Sequence, residues 1–259
     1  MKIGILYICL GRYALFWKDF YLSCEKYFIP EAEKHYFVYT DSDSLLGADR
    51  PQVHIHPVEK KGWPFDTLFR FDIFLETENE LKKMDYLYFF NANMRFVKNI
   101  GNEFLPDAND ELVVTLHPGF FRKKRIDYPY EKHPESLAFI PDNEGLIYVC
   151  GGLNGGNCKK YLEMIKELSR RIQEDLSKNI IAKIHDESHL NKYILDKKVK
   201  ILHPGYIYPE ETKLPFEKII VLLDKRFWGG HAFLRGVTDK PSTIKYWIAL
   251  WKQFRKVFR

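Results

Sequence analysis

Two stretches of this sequence concentrate residues able to do chemistry. His185-Asp186-Glu187-Ser188-His189 puts two carboxylates and two imidazoles into one short segment. On a helix His185 and His189 share a face, as do Glu187 and Asn191. A zinc-protease helix needs its Glu directly after the first His, and here Asp186 stands there. Asp186 and Glu187 also suit the acidic first turn of an ordinary helix. The second stretch, Gly151-Gly152-Leu153-Asn154-Gly155-Gly156, carries four glycines. Glycine costs backbone entropy on folding, so this density marks either a sharp turn or a wall that a sugar or phosphate approaches closely.

A third stretch, FFNANMRF at 89–96, ends an apolar run in Asn91-Ala92-Asn93. Many nucleotide-sugar enzymes carry two aspartates at this spacing, which grip a metal on the diphosphate. Asn91 and Asn93 keep the spacing without the charge, and hard divalent ions favour charged oxygens. The sequence therefore predicts no protein metal site and no cofactor. Negative charge on a departing diphosphate must then be met by cations. Lys225, Arg226, Arg235 and the lysines beyond them are the candidates. Arg70, alone on an apolar helix face, is either a snorkelling surface residue or a fixed guanidinium for an anion.

The elements that must position these groups follow from periodicity. Ile3–Cys9, His35–Tyr39, Val53–Val58 and Met84–Phe90 read as strands. Tyr13–Phe28 and Phe65–Glu76 read as helices between them. The rhythm is that of a doubly wound α/β sheet, whose ligands gather at the carboxyl ends of the strands. Neither GxGxxG nor a P-loop is present. Beyond it, Glu111–Leu116, Ile147–Cys150 and Val199–Leu202 read as strands. Residues 122–144 read as an excursion loop, and Cys158 to about Ile184 as one long amphipathic helix.

Composition narrows the function classes. A chain of 259 residues with 46% hydrophobic residues can bury a large single core, so disorder is excluded. The formal charge of +5 permits anionic ligands. Without Lys/Arg-aromatic interleaving across the body, it argues against a nucleic-acid partner. From residue 240 onward the charged residues are Lys240, Lys245, Lys252, Arg255, Lys256 and Arg259, with no acid among them. That tail suits phosphate, an anionic membrane surface or a solvated helix end. Four cysteines without a CxxC pair fit a reducing compartment. The abundant aromatics suit a bulky core or a sugar site, which leaves a non-catalytic sugar-binding module as a rival reading.

Taken together, several segments resemble glycosyltransferase family 6. They are Phe37–Asp41, Trp63–Arg70, Phe89–Arg95, Thr115–Phe120, Tyr148–Gly156 and His185–Tyr193, in the family's order. The resemblance implies a GT-A-type nucleotide-sugar-binding fold, with a central mixed sheet flanked by helices. It divides the chain 1–259, a single catalytic domain, into a nucleotide half (1–93), an acceptor and catalytic half (94–224) and a basic tail (225–259). It implies transfer of galactose or N-acetylgalactosamine from a UDP-sugar to the 3-OH of an acceptor galactose, α1,2-fucosylated, with retention. Its bacterial metal-independent members match the loss of charge at Asn91 and Asn93.

By the same resemblance Glu187 is the catalytic carboxylate. Tyr39, Asp41, Arg70, Asn91, Asn93, Cys150, Gly151, Gly152 and Asp186 face the donor, and His117 faces the acceptor. Lys225 and Arg226 join the donor side through the charge argument above, and His185 is placed with the acceptor. Gly152 leaves room for an acetamido group and favours UDP-GalNAc, with UDP-Gal as the alternative donor. Ile184 and Pro209 depart from the animal pattern. With a first strand at the very start and no anchor, the expected setting is the bacterial cytoplasm, with peripheral contact to the inner membrane through the tail.

Overall fold

The computed structural model describes residues 1–107 and 110–257, the last six of these by backbone alone. The side chains of Lys252, Arg255 and Lys256, and all of Arg259, lie outside the described residues.

The strands are β1 (Lys2–Cys9), β2 (Glu33–Thr40), β3 (Val53–Pro57), β4 (Tyr86–Phe90), β5 (Met94–Phe96), β6 (Leu112–Leu116), β7 (Val149–Asn157), β8 (Val199–Leu202), β9 (Tyr208–Pro209) and β10 (Ile220–Leu222). The α-helices are α1 (Trp17–Tyr27), α2 (Phe65–Leu68), α3 (Arg70–Leu75), α4 (Glu78–Leu81), α5 (Cys158–Ser177), α6 (His185–Tyr193), α7 (His231–Leu234) and α8 (Ile244–Val257). The main sheet has the order β3-β2-β1-β4-β7-β6-β8. Its first four strands are parallel, and β7 runs antiparallel to both β4 and β6. A small sheet β5-β10-β9 stands beside it. The mixed sheet with flanking helices is the GT-A-like nucleotide-sugar-binding architecture.

Alternation along β1 divides the core. Ile3, Ile5 and Tyr7 pack with Trp17, Phe20 and Phe90 on one face. Leu6 packs with Phe37, Phe71 and Phe74, and with Ile165 and Leu168 of α5, on the other. Both faces of the central strands are therefore covered, which explains their near-continuous apolar sequences.

Three elements differ from their sequence reading. Of the two readings of the glycine run, the turn falls away. The run lies inside β7, which continues from Val149 to Asn157. The β6 pairing jumps from Val114↔Asn154 to Thr115↔Cys150, so β7 bulges at Gly151–Leu153. Here glycine serves close approach: a Cβ on Gly155 would stand 2.4 Å from the Leu87 carbonyl oxygen of β4. The 65–76 helix is broken at Phe69, and α5 stops at Ser177. The backbone of Asn179 takes a left-handed conformation (φ 59°), which asparagine tolerates better than most residues. The chain then turns back to start α6.

Candidate active site

Because β7 is antiparallel, its first residues lie at the same sheet edge as the last residues of β1 and β4. A cavity of about 340 Å³ opens there. Ile8 of β1 and Leu10 just after it, Asn91–Asn93 after β4, and Cys150–Gly152 of β7 form one wall. The start of α6 forms the floor with Ile184–Glu187, and Lys60, Lys225, His231 and Arg235 close the far side.

The floor is held by side chains on backbone. Asn191, fully buried, accepts from the Val149 N–H and donates to the Val149 carbonyl, both at 3.0 Å. That two-way clamp fixes α6 against β7. The Ser188 hydroxyl accepts from the Ile184 N–H at 3.0 Å and ties off the start of α6. His185 enters the helix at φ +47°, a left-handed conformation costly for a side chain of its size. The strained turn presents Asp186 and Glu187 together at the cavity.

Asp186 is buried and forms an ion pair with Arg70, which is itself only 6% exposed. Arg70 also donates to the Gly151 carbonyl at 2.7 Å and lies 4.2 Å from the centre of the Phe89 ring. It is thus a fixed guanidinium and not a snorkelling surface residue. Burial raises the Asp186 carboxyl, and Arg70 opposes that rise.

Glu187 accepts from the Tyr148 hydroxyl and from the Gly151 N–H, each at 2.7 Å. Burial pushes its carboxyl up to about 7, with these two donors pulling the other way. Gly151 is central: its N–H holds Glu187 while its carbonyl accepts from Arg70 and, at 2.9 Å, from Asn154. A Cβ there would lie 3.2 Å from the Glu187 Cβ. Glycine at 151 lets α6 come this close.

The other expected site residues divide. Asn91 and Asn93 line the cavity, with the Asn93 amide donating to the Leu223 carbonyl at 2.7 Å. Asn91 lies close to Gly152: a Cβ on that glycine would stand 2.5 Å from its Nδ2. The Asn91 amide therefore borders the space beside Gly152. Lys225 lines the cavity, and burial followed by the nearby Arg235 lowers its ammonium to about 8. Arg235 lies 4.0 Å from the Trp63 ring centre, and Lys60 donates to its carbonyl.

Tyr39 and Asp41 are not in the cavity. The Tyr39 hydroxyl is buried against Thr77 at 2.6 Å, on the core side of β2. Asp41 is exposed and accepts from the Gly11 N–H at 2.7 Å, which shapes the loop after β1. Arg226 points outward to Asp224, 2.6 Å away, so the chain folds Lys225 in and Arg226 out. His185 borders this same cavity, edge-on to Trp63. Tyr148, Asn154 and Asn191 do positioning work that the sequence reading missed. Only the spacing of Asn191 four residues after Glu187 signalled one of them.

His117 stands on the far side of Glu187. Its ring packs on Phe120 and Tyr148, and burial lowers it to about 4, so it is neutral. The ligand-type atoms of His117, Cys150 and Glu187 lie within 4.8 Å of one another. Each already faces a proton donor. His117 Nδ1 accepts from Gly119, Cys150 Sγ from Gly152, and Glu187 from Tyr148 and Gly151. With Nδ1 accepting, a neutral His117 carries its proton on Nε2 in this arrangement. The cluster is also a hydrogen-bonded network, and among the described residues it is the group of His, Cys and carboxylate side chains spaced to hold an ion.

The profile of glycosyltransferase family 6 matches residues 1–224. The chain belongs to that family. It is therefore a transferase, and the sugar-binding-module reading falls away. The transferase is 38% identical over 225 residues to the O-antigen biosynthesis glycosyltransferase WbnI of Escherichia coli, covering 87% of this chain and 95% of that one. It is 33% identical to histo-blood group ABO system transferase 1 of Rattus norvegicus, over 81% of this chain and 61% of the relative. It is 30% identical to globoside alpha-1,3-N-acetylgalactosaminyltransferase 1 of Gallus gallus, over 85% of this chain and 66% of the relative. The chain thus spans roughly three fifths to two thirds of the length of these animal relatives.

Proposed function

We propose that the transferase moves N-acetylgalactosamine from UDP-GalNAc to the 3-OH of an α1,2-fucosylated galactose, retaining the anomeric configuration and using no divalent metal. The observation that carries this reading is the Glu187 carboxylate, fixed on the cavity floor beside the Arg70–Asp186 pair and Gly151. Glycosyl transfer builds positive charge on the anomeric carbon and negative charge on the departing UDP. An ionised Glu187 stabilises the first, either as an electrostatic partner or as a nucleophile. Lys225 and Arg235, with Lys60 beside them, meet the second. Asn91 and Asn93 add neutral donors to the same wall. The name of the globoside alpha-1,3-N-acetylgalactosaminyltransferase relative supports the sugar, and the O-antigen biosynthesis relative WbnI supports a role in O-antigen assembly. His117, beyond Glu187, takes the acceptor side. The reading treats residues 1–259 as one catalytic domain of the bacterial metal-independent type, working in the cytoplasm at the inner membrane surface.

A second reading, transfer of galactose from UDP-Gal, is favoured by one contact. The recess at Gly152 admits an acetamido group only when Asn91 turns away from it. Both readings are tested by UDP release from each donor, in excess EDTA and with added Mn²⁺, with and without fucosyl-α1,2-galactose. EDTA-resistant, acceptor-dependent turnover preferring UDP-GalNAc is expected. A preference for UDP-Gal selects the second reading, and turnover only with Mn²⁺ overturns metal independence.

A further inference from the structure

The segment after the family match ends in α8, whose amphipathic character points the unusual way. Its body-facing side carries Lys245, which pairs with Glu211 at 2.8 Å and Asp224 at 3.4 Å, and Tyr246, whose ring meets Phe233 at 5.9 Å. Its outward side is apolar. Ile244, Trp247, Ile248 and Trp251 follow the i, i+3, i+4, i+7 spacing of one helical stripe. They are 77%, 57%, 44% and 58% exposed. Contiguous exposed apolar surface of this kind marks an interaction site.

We propose that α8 is an interfacial helix that inserts this stripe into the headgroup region of an anionic lipid bilayer. Two features choose that occupant. The stripe holds two tryptophans, whose flat amphipathic rings favour the membrane–water interface. The sequence also supplies Lys252, Arg255, Lys256 and Arg259 within or just after the same helix, and no acid from residue 240 to the end. That charge is attracted to acidic headgroups and would repel a second copy of the same helix. No helix among the described residues is long and apolar enough to cross a membrane, so the contact is peripheral. Docking would also fix the cavity relative to the surface. α7 and the loop joining it to α8 are tied to the body by Arg12, which donates to the Phe233 and Thr238 carbonyls at 2.9 and 3.0 Å. The inference builds on the membrane-peripheral setting above, but its test reads lipid binding without any sugar substrate, so a failed transferase assay leaves it standing.

The test is co-sedimentation of the full chain with vesicles of phosphatidylcholine alone or with phosphatidylglycerol added, alongside tryptophan quenching by bromine-labelled acyl chains. Binding only to the anionic vesicles is expected, weakening as salt is raised, with part of the fluorescence quenched. The Trp247→Ser/Trp251→Ser double variant should lose about tenfold or more of the partitioning and the quenched fraction. Its turnover on a soluble acceptor should match the unaltered chain, which shows that it is folded. Absence of binding to anionic vesicles overturns the proposal. So does binding without quenching, which means charge adsorption alone. Self-association that the double variant abolishes would assign the stripe to a second copy instead.

Discussion

The two sides of the cavity are built on different physical terms. The β7–α6 side carries Glu187, the carboxylate proposed to react, and almost every polar group there is buried and paired. Arg70 holds Asp186, Gly151 and Tyr148 hold Glu187, and Asn191 clamps the backbone beneath. The opposite side, from Lys225 to Arg235, is attached largely through partly exposed contacts: Arg12 on loop carbonyls, Lys60 on the Arg235 carbonyl, and Arg235 over Trp63. The first arrangement fixes geometry and tunes a pKa. The second gathers positive charge where the proposed function puts the diphosphate. On the proposed function, the difference teaches that direction is required at the anomeric carbon, whereas the leaving group needs chiefly charge within reach.

This contrast can be broken at several points. The largest effect is expected from Glu187→Gln, which should lower kcat by roughly 10³-fold or more while UDP binding, read by calorimetry, is kept. Unchanged turnover would remove Glu187 from the chemistry. The same variant has a stability signature. Glu187 holds its proton more tightly folded than unfolded, so between the ordinary carboxylate range and about 7 the folded state loses stability as pH rises. Gln should therefore raise Tm at pH 8 and leave it nearly unchanged at pH 4. Equal Tm at both would mean that burial does not penalise this carboxylate.

Next comes the buried ion pair. Arg70→Ala leaves Asp186 charged and alone, and should cost on the order of 3–5 kcal/mol in urea unfolding. Arg70→Ala combined with Asp186→Ala should recover part of that loss, and strict additivity would contradict the coupling. Gly152→Ala should then shift donor choice. Its methyl must displace the Asn91 amide and narrow the recess, lowering the UDP-GalNAc to UDP-Gal ratio of kcat/KM by roughly 10–100-fold. The cationic side should respond more gently. Lys225→Ala should raise KM for the donor about tenfold, and the difference should shrink with salt. Arg226→Ala, a neighbour facing away, should do almost nothing.

The pH–rate profile sharpens the comparison further. If the carboxylate is the working form, kcat/KM rises with pH through about 7 and reaches a plateau. A fall over the same range would make the protonated acid the working group.

The sequence by itself determined the family, the alternation of strands and helices in the first half, and the pairing of a glycine-rich segment with an acidic helix start. Those features are local: apolar runs, glycine density, and carboxylates at fixed spacing. It also carried the loss of charge at Asn91 and Asn93. The tertiary structure alone decided what depends on long-range pairing. The glycine run reads locally as either a turn or a close-approach wall, and becomes a bulged strand only because β4 and β6 lie on either side of it. Tyr39 ends a strand apolar on both faces, so no alternation reveals which way it points, and the register with β1 and β3 turns it into the core. Arg70 is a lone cation in the sequence. It becomes the partner of Asp186 only when residues more than a hundred positions apart are packed together and burial makes an unpaired charge costly.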